Sequence, residues 1–182
     1  ADDHHIAAAT PGGQQAGDPL RQRRQRLRRR FTGRFEHMGI VLGQAREWKR
    51  GGHDVWLVTV IETWGSAPRP PGALLAMRGD GLVVGSVSGG CVEDDLIERV
   101  RQGERVAMPS LVTYGVTKDE AARFGLPCGG NLRLVQEPLA DAAWIDEVLL
   151  RTAAHQLVAR RLDMASGRVT IEAASRGEAF AY

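Results

Sequence analysis

The chain has 182 residues, 43% hydrophobic, 25% charged and 5% aromatic, with 22 glycines, two cysteines and a formal net charge of +2. That suffices for one ordinary domain with a core of its own. No apolar run approaches the roughly 20 residues of a membrane span, and two cysteines make no disulfide framework, which points to a reducing, cytoplasmic setting.

The charge is uneven. Residues 1–34 hold eight arginines and three aspartates, a net of +5, so the rest of the chain carries −3. Residues 1–20 are rich in Ala, Gly, Gln and Pro without apolar periodicity, and residues 21–30 read RQRRQRLRRR. Residues 1–34 therefore read as a disordered basic arm, and residues 35–182 as the folded part. A nucleic-acid partner is disfavoured, because no aromatic residues interleave the arginines and no folded basic face supports them. A twin-arginine export signal is rejected, since no apolar stretch follows.

The folded part opens with a helix over Phe35 to Arg50, with Met38, Val41, Leu42, Ala45 and Trp48 at helical spacing and Gly51-Gly52 as its stop. Val55 to Ile61 (VWLVTVI) reads as a strand buried on both faces. Residues 65–72 (GSAPRPPG) form a stiff loop, because three prolines fix φ and remove donors. Two short strands, Ala73 to Met77 and Leu82 to Val84, flank a turn at residues 78–81. An amphipathic helix follows over Val92 to Gln102, ended by Gly103. Then come a strand at Leu111 to Tyr114, a helical turn or two at Lys118 to Arg123, and a strand at Leu132 to Val135 closed by Pro138. A helix at Ala142 to Arg151 precedes a hairpin, Leu157 to Met164 and Val169 to Ala173, across Ser166-Gly167. The expected fold class is α/β, with α+β as the variant: one compact domain with a mixed sheet flanked by helices. The strand order does not follow from the pattern.

Three loops carry the chemistry. The first, GSVSGGCVEDD at residues 85–95, runs from a strand into a helix start. Such a loop offers unpaired N–H groups to an anion and lowers the pKa of a thiol placed there. Glu93, Asp94 and Asp95 oppose that effect while complementing the helix dipole, and Ser88 is a candidate cap. In the second loop, at residues 65–72, Arg69 stands on a low-entropy segment at the end of a buried strand and suits an oxyanion. The alternative there is a rigid crossover whose arginine faces water. The third, LPCGG at residues 126–130, is by itself only a turn. It holds Cys128, as the first holds Cys91.

A metal site is poorly supported, because CxxC and HxxxH are absent and the histidines are scattered. GSVSG is not a nucleophile elbow. No G-x-G-x-x-G occurs, so no NAD site is expected.

In this order and spacing, GSAPRPPGALLAM (65–77), GSVSGGCVEDDLI (85–97), YGVTKDEAARFGLPCGG (114–130) and VQEPL (135–139) resemble the CoxI/XdhC family. Its members are accessory proteins that mature molybdenum hydroxylases such as carbon monoxide dehydrogenase and xanthine dehydrogenase. The resemblance runs from about residue 38 to about residue 173. The XdhC branch tends to carry another residue where Cys91 stands, so the pair Cys91 and Cys128 looks more like the CoxI branch.

The resemblance implies a chaperone, rather than a turnover enzyme, that binds molybdopterin-type molybdenum cofactor transiently. It implies support of cofactor sulfuration with a cysteine desulfurase, insertion into the large subunit of the client hydroxylase, and a homodimer. The residues it implies at the cofactor are Gly65, Ser66, Pro68, Arg69, Gly72, Ser88, Gly89, Gly90, Cys91, Glu93, Cys128, Gly129 and Gly130. Cys91 and Cys128 would face one pocket as ligand, persulfide carrier or redox pair. Members commonly continue into a second, Rossmann-like domain, which is expected to be absent or missing here. Two other readings compete: a thiol oxidoreductase cycling Cys91 and Cys128, and an assembly module that docks the apo-hydroxylase without carrying cofactor.

Overall fold

Strand β1, Val55–Trp64, is the middle of a five-stranded sheet in a computed structural model that describes residues 37–65, 69–115 and 131–174. The other strands are β2 (Leu74–Arg78), β3 (Val83–Gly85), β4 (Ser110–Tyr114) and β5 (Asn131–Pro138), in the order β3-β2-β1-β5-β4. The helices are α1, described over residues 37–50, α2 (Cys91–Arg101) and α3 (Ala143–Ala153). β6 (Val158–Leu162) and β7 (Val169–Ala173) form a separate hairpin. The basic run and the turn expected at Lys118 to Arg123 lie outside the described residues.

β1 has apolar side chains on both faces because both faces are covered. Trp56, Val58 and Val60 join Leu75, Leu132 and Leu134 beneath Val92, Leu96 and Val100 of α2. Val55 and Leu57 point the other way, into a cluster with Val41, Leu42, Ala45 and Trp48 of α1 and Ile145 and Val148 of α3. The period-2 alternation of a strand thus builds two cores, one per face. Fully buried residues such as Leu57, Leu75 and Leu134 each contribute about 2 kcal/mol of burial free energy.

One expectation needs correction. The sheet is not mixed: every pairing among the described strands is antiparallel. α2 does connect two strands that run the same way, β3 and β4, but they occupy opposite edges of the sheet and never pair. A helix between strands reads as a βαβ crossover in sequence, whereas three strands stand between its ends in space.

β5 also runs further than its apolar stretch, through Gln136, Glu137 and Pro138. Glu137 lies opposite Leu57 in β1, is 2% exposed, and pairs with Arg160 of β6 at 2.5 Å. Arg160 in turn lies over the Trp144 ring at 4.3 Å. Ladder partners and a buried ion pair carry a polar segment into the sheet where sequence polarity suggests an end.

The strand termini sort the loops. β1 ends where β5 begins, with Trp64 opposite Asn131, and β4 ends beside it, with Tyr114 opposite Leu132. β2 begins and β3 ends on that same side, with Leu75 opposite Gly85. The segments 65–73, 86–90 and 116–130 therefore all attach to one end of the sheet. A register shift between Val60 and Glu62 makes a bulge in β1 on the way there.

Candidate functional site

Gly85 is the pivot at which β3 leaves the sheet. Its φ is +91°, and a Cβ there would overlap the Leu74 carbonyl oxygen and come within 2.8 Å of Val41. Only glycine fits. The chain then turns through Ser86-Val87-Ser88-Gly89-Gly90 into α2.

The carboxylate of Glu93 fills this turn. It accepts from the amides of Val87 at 2.8 Å, Ser88 at 2.9 Å, Gly89 at 3.2 Å and Gly90 at 2.9 Å. The Ser86 hydroxyl donates to it at 2.8 Å, and the Ser88 hydroxyl donates to it as well. Ser88 also accepts the Val92 amide at 3.3 Å, so it caps the helix although Gly90 stands at the cap position. The donors expected to be open to an outside anion are committed to an internal one. Glu93 is 7% exposed. Burial pushes its carboxyl up, but the bonds from Ser88, Ser86 and Val87 outweigh this and hold it well below the usual carboxylate range.

The other two acids of the run have separate fates. Asp94 is exposed, whereas Asp95 accepts the Tyr114 hydroxyl at 3.0 Å. Tyr114 is buried at the end of β4. Burial, and then the Asp95 charge, raise its phenol above the ordinary value.

Arg69 reaches this loop from the proline segment. Gly72 donates to the Val60 carbonyl at 2.7 Å and Val60 to the Ala73 carbonyl at 2.9 Å, so the segment folds back onto β1 beside the bulge. The exposed Arg69 side chain donates its Nε–H to Ser86 Oγ at 3.2 Å. The second and first loops are thus joined directly. Gly65 and Gly72 bracket the proline segment at positive φ.

Cys91 is the first residue of α2 and so stands at this end of the sheet; its side chain lies outside the described part. Ser66, Pro68, Cys128, Gly129 and Gly130 also lie outside the described residues. The segment holding Cys128 is bracketed by Gly115 and Asn131, both at the same end. Among the described residues no group of three or more His, Cys, Asp or Glu is arranged to hold a metal, and no helix is long and apolar enough to cross a membrane. Two open depressions, one at Lys49, Arg50 and Asp141 and one at His53, Arg78 and Asp80, lie at the opposite end of the sheet.

Sequence reasoning missed Ser86 and Tyr114 as parts of this arrangement, placed Asp95 only in the first turn of the helix, and missed the 44% exposed Trp64 beside it. Ser86 and Tyr114 sit within the loop sequences already singled out. Arg69, which bonds Ser86, and Asp95, which bonds Tyr114, stand 17 and 19 positions away, and no local spacing signals them.

Residues 48–115, which contain the Arg69 and Cys91 loops, match the XdhC and CoxI family. The chain is 34% identical over 132 residues to the molybdenum cofactor insertion chaperone PaoD of Escherichia coli (strain K12), covering 68% of this chain and 38% of that protein. It is 31% identical over 75 residues to a protein of Bacillus subtilis (strain 168) described as a probable xanthine dehydrogenase subunit, covering 41% of this chain and 23% of the relative. It spans less than half the length of either. A crystal structure from Bacillus halodurans described as a xanthine dehydrogenase shares the fold, with a TM-score of 0.52 and 23% identity over 75% of this chain and 45% of that one. The loop sequences, their attachment at one end of the sheet and these matches together place residues 48–115 in the XdhC and CoxI family.

Proposed function

We propose that this chain acts in an accessory chaperone that binds molybdopterin-type molybdenum cofactor as cargo and delivers it to a molybdenum hydroxylase. The observation that carries this reading is the bond from Arg69 to Ser86. It joins two loops of the family-matched segment at the sheet end where residues 116–130 also attach. The name of the relative PaoD supports the cargo.

The cofactor carries a phosphate, and an exposed guanidinium suits it. The amides of residues 87–90 are held by Glu93, so Arg69 rather than those amides is the proposed phosphate contact. Cys91 at the start of α2 and Cys128 in the third loop supply the soft thiols suited to molybdenum or sulfur, as ligand, persulfide carrier or redox pair. Sulfuration with a cysteine desulfurase, transfer to the large hydroxylase chain, a homodimer, a CoxI-like branch and a cytoplasmic location complete the proposal.

The test is metal analysis and oxidised-pterin fluorescence on protein purified from a cofactor-producing cell. Pterin and molybdenum are expected to copurify with the wild type and to be reduced in Arg69→Ala. A wild type that acquires no pterin even when cofactor is supplied overturns the reading. Cys91→Ser and Cys128→Ser are each expected to lower activation of the client hydroxylase in cells, and intact activation in both removes the thiol role.

A further inference from the structure

Among the described residues Arg69 makes one hydrogen bond, from Nε–H to Ser86 Oγ at 3.2 Å. The Ser86 hydroxyl donates onward to Glu93 Oε1 at 2.8 Å. Glu93 is itself fixed by the amides of Val87, Ser88 and Gly90. The buried carboxylate therefore sets where the hydroxyl proton points, and this leaves a lone pair facing Arg69. The Ser86 backbone is also fixed, with its N–H donated to the Leu74 carbonyl at 3.2 Å.

This relay uses the Nε edge of the guanidinium. What it leaves for a ligand is the end-on fork of the two Nη atoms, whose spacing matches two oxygens of a phosphate or carboxylate. A free arginine on an exposed loop loses rotamer freedom when it clamps an anion, and a side chain already tethered loses less.

We infer that Ser86, anchored by Glu93, is a positioning residue that aims Arg69 end-on at an oxyanion of the cargo, its phosphate. The inference rests on reading Arg69 as the oxyanion contact. Ser86 does not touch the cargo.

The experiment uses the full chain labelled with 15N-arginine and titrated with inorganic phosphate. The Arg69 Nε–H signal is assigned by its loss in Arg69→Lys. In the wild type it is expected to exchange slowly with water and to shift on phosphate addition. In Ser86→Ala it exchanges fast, and phosphate affinity falls about three- to tenfold through lost preorganisation. Ser86→Thr keeps the hydroxyl and restores both, which a general loss of stability does not explain. Equal phosphate affinity in Ser86→Ala and wild type overturns the inference, as does a wild-type Arg69 signal that ignores phosphate. If the phosphate results hold while the wild type never acquires pterin, the cofactor reading fails and the positioning role of Ser86 stands.

Discussion

The Tyr114 hydroxyl donates to Asp95 Oδ2 at 3.0 Å, which ties the last residue of β4 to the first turns of α2. Arg99, one turn further along α2, donates to the same hydroxyl at 3.4 Å. The helix that begins at Cys91 and the strand that leads into residues 116–130 are thereby held to each other by side chains as well as by packing.

Tyr114→Phe keeps the ring in the core and removes this hydroxyl. Its expected cost is about 2 kcal/mol, in the range for hydrogen bonds to charged groups. Asp95→Ala is expected to cost a similar amount, and the double variant less than the sum, because both changes remove the same interaction. Urea denaturation of the four proteins at neutral pH measures the coupling, and strict additivity would contradict the link.

Glu93 makes stability depend on acid. Its folded pKa is depressed, so its contribution is fully present above the unfolded value of about 4.3 and is lost as pH falls from there toward the folded one. Glu93→Gln cannot accept from all the same donors and is expected to cost about 3 kcal/mol at pH 7. The gap between wild type and variant should narrow as pH falls below about 4.3. Denaturant titrations across that range check this, and a gap that stays constant counts against an ionised Glu93.

Glu137 and Arg160 hold the β6–β7 hairpin against the sheet. The Glu137 side chain is 3% exposed and that of Arg160 24%, so the pair is mostly desolvated. Glu137→Ala leaves the arginine without its partner and is expected to cost about 3 kcal/mol, the lower end for breaking a buried pair. Glu137→Leu combined with Arg160→Leu is expected to cost less than that single change, because no charge remains stranded. Equilibrium unfolding of both variants decides the order.

The elements of the fold were legible where the local pattern is strong. The helical spacing of Val41, Leu42, Ala45 and Trp48 located α1, and the nearly all-apolar run Val55 to Ile61 marked a strand covered on both faces. Glycine and proline marked the turns, since their backbone restrictions act within a few residues. The polar end of β5 was not legible, because Glu137 is accommodated by Arg160, 23 positions away. The antiparallel order was not legible either, because a crossover helix looks the same whether its strands pair or stand at opposite edges.

The candidate site divides along the same line. Composition and short spacing settle which residue types each loop carries: a serine- and glycine-rich turn before a helix with acids in its first turn, and an arginine among prolines. They leave the pairings open. Folding alone makes Glu93 turn back to fill the amide nest, gives Asp95 to Tyr114, and gives Ser86 to Arg69. The last two pairings join residues 19 and 17 positions apart that the sheet brings together, and neither has a signature in local sequence.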